Sequence, residues 1–505
     1  MNQTVLATAR LTASVLLLAG CKIQVIAPQG GSVTTESGNY LCEAGNSCQI
    51  EVTDTLFSET FTVVANDGYE FVGWRSRDKG LCGGSTEACT LFTSGFAGNE
   101  ALLAFLASDE VFYLEAVFSN GSDWIVNTEN RSQQIFESAS NQGVLEDVQS
   151  VSSEAGFVAI QTNGIPNYNV LVSEALIEDL NNRPRAGSDF TAGITTLAMN
   201  EVAVFGEDIG YASQNSGNCS DTGGGGYWPP GPVCPVGLER EEFFTESPSP
   251  TDDDCESGLG TIGLMVNGTA IFNWGDGMSF GNNVWFNLAP IAEQFDVDIC
   301  GGHAANGEYH HHFYTSCLAE LVGDHGNGHS PIYGYAADGY PVYGPWEADG
   351  VLAVSGWDTR DYGADSSEGG CGTPGERTCV LVDAYDRSAG VDGNVTQGPD
   401  VGETVTTLSG NELAATDGYY LEDYFFAGRS ASGAQLDEHN GHENGDGRGY
   451  HYHITLVMDG NGDLQPSFPF TIGPRFYGEL PDNAMTACGG GGGGPGGPGG
   501  PPPGA

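Results

Sequence analysis

Apolar and polar residues alternate along this chain in runs too short for helices. Segment 22–118 contains "FTVVANDGYEFVGWRSRDKGLCGGSTEACTLF", where apolar positions alternate around an Asn-Asp-Gly turn, and it closes on the strand-like "VFYLEAVF". From about 122 to 488, short runs of this kind recur between Gly, Asn, Asp and Pro, with few helical periods. The pattern predicts a mainly β protein: a small N-terminal β module over 21–120 and a larger β-rich domain over 122–488. Residues 489–505, "GGGGGGPGGPGGPPPGA", hold nothing that could build a core, and disorder is expected there.

The larger domain contains a duplication. "IGLMVNGTAIFNW" at Ile262–Trp274 and "YGYAADGYPVYGP" at Tyr333–Pro345 superpose at one offset, with Asn267-Gly268 falling on Asp338-Gly339. Both read as hairpins closed by a dipeptide that tolerates positive φ. A second shared element follows each hairpin: Asp298, His303, Tyr309, His310 and His312 after the first, and Asp437, His442, Tyr450, His451 and His453 after the second. A pseudo-twofold arrangement of two units is therefore expected.

All ten histidines lie between His303 and His453, in or near these units. In a strand, alternate side chains share a face. "YHYHITLVM" thus puts Tyr450, Tyr452 and Ile454 on one side and His451 and His453 on the other. The first copy opposes Tyr309, His311 and Phe313 to His310, His312 and Tyr314. Pseudo-twofold packing of the two units would bring four imidazoles into one shared site. Neutral imidazoles bind zinc, copper, nickel or iron, and Asp298 and Asp437 suit ligation or the orientation of a ring. His303, His329 and His442 are the next candidates. His329 opens the second hairpin block, whereas His325 lies in a Gly-rich loop and His439 falls opposite Cys300 in the repeat. Two other readings stay open. The histidines and tyrosines could satisfy one another in a polar core, or Tyr309 or Tyr450 could act with a histidine as acid and base without a metal. "DGNGD" places Asp459, Asn461 and Asp463 at the alternation of a calcium loop, but without the downstream Glu a hairpin turn is the simpler expectation.

Charge narrows the partners. With 67 acidic and 15 basic residues and a formal charge of −52, the surface repels nucleic acid and anionic lipid. The first 21 residues, "MNQTVLATARLTASVLLLAGC", combine Arg10, a short apolar run and a small-residue site before Cys21, as in an export leader. Setting Cys21 aside leaves twelve of the 13 cysteines, and their spacing does not suit zinc knuckles. Disulfides are expected within Cys42/Cys48, Cys82/Cys89, Cys371/Cys379 and Cys300/Cys317, while Cys219, Cys234, Cys255 and Cys488 stay unassigned.

Three resemblances add to this reading. "LAGC" at Leu18–Cys21 looks like a bacterial lipobox, which implies a signal peptide over 1–20 and a membrane anchor on lipidated Cys21, hence a cell-envelope lipoprotein on the outer membrane or cell surface. "GYEFVGW" with its flanking cysteines resembles one unit of the bacterial repeats related to the B-repeats of internalin-type surface proteins, which implies a stalk or adhesive module. "CGGHAANGEYHHH", "GHSPIYGYAADGYPVYGP" and "LDEHNGH" with "GYHYHITL" resemble the YHYH family of secreted bacterial proteins over about 122–488. This chain departs from that pattern in carrying His311 where a second Tyr would stand, and Tyr168 where relatives tend to show His.

The expectation is an envelope-anchored protein binding a transition metal, copper or zinc, whose extracellular partner is an unknown small molecule or polymer. Metal-assisted hydrolysis or copper redox chemistry would follow if it is an enzyme, with Tyr309 and Tyr450 as proton donors. The alternatives are a non-catalytic surface or adhesion protein and a metal-independent Tyr/His lyase. No nucleophile elbow, phosphate loop, HExxH helix or dinucleotide fingerprint decides among them.

Overall fold

A computed structural model describes residues 21–489 except 29, 67–68, 76–78, 97, 109, 120–122, 129, 138–139, 185–193, 211–233, 364–369 and 429–434. The leader at 1–20, Cys219, the tail from 490 to 505 and the side chain of Cys21 lie outside the described residues. The protein is 37% strand against 9% helix, so the expected mainly β class holds. The chain divides into two compact units, Met1–Ser122 and Asp123–Ala505.

Two four-stranded sheets make up the first unit. In one, Cys21–Ala27 lies between Asn46–Val52 and Val111–Ser119, with Glu70–Trp74 beyond the latter. In the other, Gly31–Thr35 and Ser58–Ala65 pair centrally, flanked by Leu41–Cys42 and Cys89–Phe92. Strand alternation turns Ile23, Val25, Val33, Ile50, Val52, Phe61 and Leu114 into one core. Trp74 is buried there and donates its indole N–H to the Glu87 carbonyl at 2.8 Å. Cys42–Cys48 and Cys82–Cys89 form as their spacing suggests.

The second unit is organised by one eight-stranded sheet. Its strands, labelled in chain order, are β1 (Thr261–Met265), β2 (Ala270–Phe272), β3 (Gly302–Ala305), β4 (Glu308–His311), β5 (Ile332–Ala336), β6 (Pro341–Tyr343), β7 (Gly441–His442) and β8 (His451–His453). They lie in the order β3-β4-β2-β1-β5-β6-β8-β7. Exchanging the halves, β1 for β5, β2 for β6, β3 for β7 and β4 for β8, returns the same order reversed. A local twofold therefore runs through the seam between β1 and β5.

The register agrees residue by residue. Across the seam Gly263 pairs with Ala336, Leu264 with Tyr335 and Met265 with Gly334. The 71-residue offset of the repeat maps this set of pairs onto itself. Both hairpins are bulged at the same place, Thr261/Gly263 and Ile332/Gly334. They turn on Gly268 at φ 82° and Gly339 at φ 89°, where a side chain would be strained. The seam also needs glycine for space: a Cβ on Gly263 would lie 2.5 Å from the Tyr335 carbonyl, and one on Gly334 would lie 2.4 Å from that of Leu264.

One face of the sheet packs Met265, Ile271, Tyr309, Val342 and Tyr452 into a core with Tyr168. Three further disulfides brace this unit. Cys300–Cys317 and Cys371–Cys379 form locally as expected, and Cys255–Cys488 joins positions 233 residues apart. Cys234 is disulfide-bonded as well.

Candidate metal centres

The expected single site formed by both histidine strands is corrected by the sheet order. The hairpins meet through β1 and β5, so β4 and β8 are five inter-strand steps apart, about 24 Å at the usual strand spacing. Alternation set which face each imidazole takes, but which edges pair set where it stands. Among the described residues there are two histidine clusters, one in each half.

In the first, the β3–β4 pairing sets His303 opposite His310. His310 and His312 project from the face opposite Tyr309, and the His310 ring stacks on Phe272 with centroids 3.7 Å apart. His310 Nδ1 lies 2.9 Å from the Glu308 carbonyl oxygen and His312 Nδ1 lies 2.6 Å from that of Asn273. A carbonyl only accepts, so each Nδ1 carries the proton and each Nε2 presents a lone pair. The two Nε2 atoms face each other at 3.0 Å. Glu293, which ends the one-turn helix Ala289–Ala292, sets Oε2 3.4 Å from His303 Nε2 and 3.3 Å from His312 Nε2. The ligand atoms of the three histidines lie within 4.8 Å of one another.

The second half repeats the arrangement. The β7–β8 pairing sets His442 opposite His451, and Tyr343 stands beside His451 as Phe272 stands beside His310. His451 Nδ1 donates to the Gly449 carbonyl at 2.8 Å and His453 Nδ1 to that of Gly344 at 2.7 Å. These acceptors occupy the repeat positions of Glu308 and Asn273. Glu347, from the strand Trp346–Ala348, sets Oε2 3.3 Å from His442 Nε2 and 3.6 Å from His453 Nε2. His329, His451 and His453 form one triad of donors, and Glu347, His442 and His453 form another.

Lone pairs converging at 3.0–3.6 Å repel unless a cation lies among them. Two ligands 2.0–2.1 Å from a tetrahedral ion sit about 3.4 Å apart, so the observed spacing is that of a coordination edge. Burial keeps the rings neutral and ready to ligate. It pushes His303 down to about 3 with help from neighbouring His312, takes His312 down to about 4, and holds His310 and His453 well below the usual range. Burial raises the Glu293 carboxyl well above its ordinary range, and the nearby Asp276 and Asp296 add to this. A bound cation would relieve both penalties. The chemistry of the donors, imidazole nitrogen with one carboxylate, suits a first-row transition metal.

Other candidates stand elsewhere. Asp298 Oδ1 accepts from the amides of Cys300 and Gly302, and Asp437 Oδ1 from those of His439 and Gly441. Each aspartate thus caps the turn that launches the strand carrying His303 or His442. Tyr309 and Tyr450 donate their hydroxyls to these same aspartates at 2.8 and 3.1 Å, on the face away from the imidazole clusters. His311 faces the core with the tyrosines, and Tyr168 meets it. Among the described residues, neither His325 nor His439 joins a group of three donors. Asp459 Oδ1 accepts from the amides of Asn461 and Asp463 in the turn between Leu456–Met458 and Leu464–Pro466, the simpler of the two expectations for that loop.

Sequence reasoning missed Glu293 and Glu347. A signal existed for one of them: Asp276 stands at the repeat position of Glu347, so an acidic residue follows both hairpins at the same distance. Asp276 is occupied with Met278 N and Asn287, and Glu293 supplies the carboxylate instead.

Residues 244–460 match the family model described as YHYH protein, and this span includes the whole eight-stranded sheet and both clusters. It therefore carries a YHYH family domain. Searches of curated proteins and of solved structures give no match.

Proposed function

We propose that this protein is an envelope-anchored metalloprotein that holds two transition-metal ions, one in each half of its YHYH domain. His303, His310, His312 and Glu293 form the first centre, and His442, His451, His453 and Glu347 the second. The observation that carries this reading is the repeated tautomer lock. In both halves the Nδ1 protons are spent on backbone carbonyls at matching repeat positions, so that Nε2 lone pairs converge beside a carboxylate. Carbonyl-locked imidazoles of this kind are the usual support of metal-ligating histidines.

Zinc or copper fits the donors. The disulfides favour an oxidising compartment, in keeping with lipid attachment at Cys21. Zinc at such a centre would polarise a bound oxygen for hydrolysis, and copper would exchange single electrons. A structural role is favoured for the first centre specifically, because three buried imidazoles and a carboxylate already complete a tetrahedron there.

Elemental analysis of the full chain, purified without an affinity His tag, tests the proposal. Two ions per chain are expected, falling to one in His310→Ala or His451→Ala and to none in the double variant. A wild-type chain free of stoichiometric metal overturns it.

A further inference from the structure

The two centres share three histidines by repeat, but the second has a donor that the first lacks. The 71-residue offset that superposes the hairpins places His329 on Gly258. Gly258 has no side chain to offer, and its backbone lies against Gly489, beside the strand bridge of Ser257 with Cys488. His329 is oriented like the other ligands. Its Nδ1 is 2.9 Å from the Ser330 carbonyl oxygen, which leaves Nε2 as the acceptor, and that Nε2 is buried with no hydrogen-bond partner. Its ring centroid lies 5.4 Å from that of His451 and 5.2 Å from that of His453. The Nε2 atoms of His451 and His453 and Oε2 of Glu347 are likewise buried without hydrogen-bond partners.

Resting on the two-centre reading, we infer that the second centre is a five-donor site that selects copper(II), with His329 as the added ligand, while the first is a four-donor site suited to zinc. Four donors close a tetrahedron, the geometry that zinc adopts readily. Four imidazoles and one carboxylate exceed it and match the nitrogen-rich, tetragonal coordination that copper(II) prefers. The two donor triads of this centre meet in His453, and the ring centroids of His442 and His451 lie 4.8 Å apart, so the five donors are contiguous. His329 also comes from the loop before β5, outside the strands that carry the other imidazoles, so its removal leaves the repeat scaffold intact.

The test uses the full chain carrying His303→Ala, which leaves only the second centre, with and without His329→Gly, the residue that the first repeat has at this position. Metal-free protein is titrated with copper(II) against a competing excess of zinc, and bound copper is followed by electron paramagnetic resonance. One copper per chain in a tetragonal, nitrogen-rich environment is expected, and His329→Gly should lower the copper-over-zinc preference at least about tenfold and alter the resonance. His329→Gln, which keeps the volume, should behave like His329→Gly. An unchanged preference and resonance in both variants overturns the inference while leaving two metal centres standing. Failure of the His303→Ala chain to bind either ion overturns the two-centre reading and this inference with it.

Discussion

The hydroxyl of Tyr168 lies 3.0 Å from Nε2 of His311, in the interior between the sheet and the segment that precedes it. At the matching position of the second half, Tyr452 extends its own phenol to Asp338 at 2.5 Å. The repeat aligns Asp338 with Asn267, and the Tyr168 hydroxyl stands beside Asn267, Thr269 and Thr315. One long side chain in the second half is thus replaced in the first by a short imidazole and a tyrosine reaching in from elsewhere. Tyr168→Phe leaves His311 Nε2 buried without that partner and should lower the unfolding free energy by about 1–3 kcal/mol. Chemical denaturation of the metal-free protein would measure this.

Glu293 and Glu347 stand in different histidine clusters, so their loss should be felt separately. Glu293→Gln removes the anionic donor beside His303 and His312 and should weaken the first centre at least about tenfold, with the second unchanged. Glu347→Gln should do the reverse. Competition with a coloured chelator resolves the two, and parallel weakening of both centres by one variant would contradict their independence.

Glu422 makes stability fall as the solution becomes alkaline. Burial pushes its carboxyl from 4.5 up to about 8, although the Phe286 amide donates to Oε2 at 2.8 Å. The folded chain therefore keeps a proton that the unfolded chain releases above about pH 4.5. The contribution is fully present below that pH and is lost as pH rises through about 8. The buried histidines act oppositely in the metal-free chain. They are neutral when folded but protonated when unfolded below about 6.5, so their contribution is lost as pH falls from there toward 4. The melting temperature of metal-free protein should peak on the mildly acidic side of neutrality, and Glu422→Gln should flatten the alkaline limb alone.

Arg377 and Asp423 form a fully buried bidentate pair, with nitrogen–oxygen distances of 2.9 and 2.8 Å. Asp423 also accepts from the amides of Gly418 and Tyr420, so the pair holds the loop around 416–423. Arg377→Met strands a buried carboxylate and should cost about 3–5 kcal/mol. A thermal melt would register it, and an unchanged midpoint would show that the loop re-solvates Asp423.

The strands, the hairpin turns, the repeat and four disulfides were legible in the sequence because each is a local pattern. Alternation told His310 and His312 from Tyr309 and His311. Neither glutamate was read as a candidate, because Glu293 caps a one-turn helix and Glu347 lies within a three-residue strand, elements too short to carry periodicity. The single shared site was wrong for a different reason. Pairing of β1 with β5 is a contact between segments about 70 residues apart, and no local pattern states which edge of a hairpin will be covered. His311, set apart in sequence by its departure from the Tyr at that place, proved to belong with Tyr168, the other departure noted.

The seam between β1 and β5 has the form of a self-complementary dimer edge in which both copies belong to one chain. Two separate copies would associate to a degree set by their concentration and would have to remain identical. Joined covalently, the partners are always present, and each can change without its twin. That freedom is visible where Gly258 faces His329 and Asp276 faces Glu347 in the alignment of the repeats. A fused dimer can therefore offer two different affinities on one symmetric frame, which a true homodimer cannot do without breaking its symmetry.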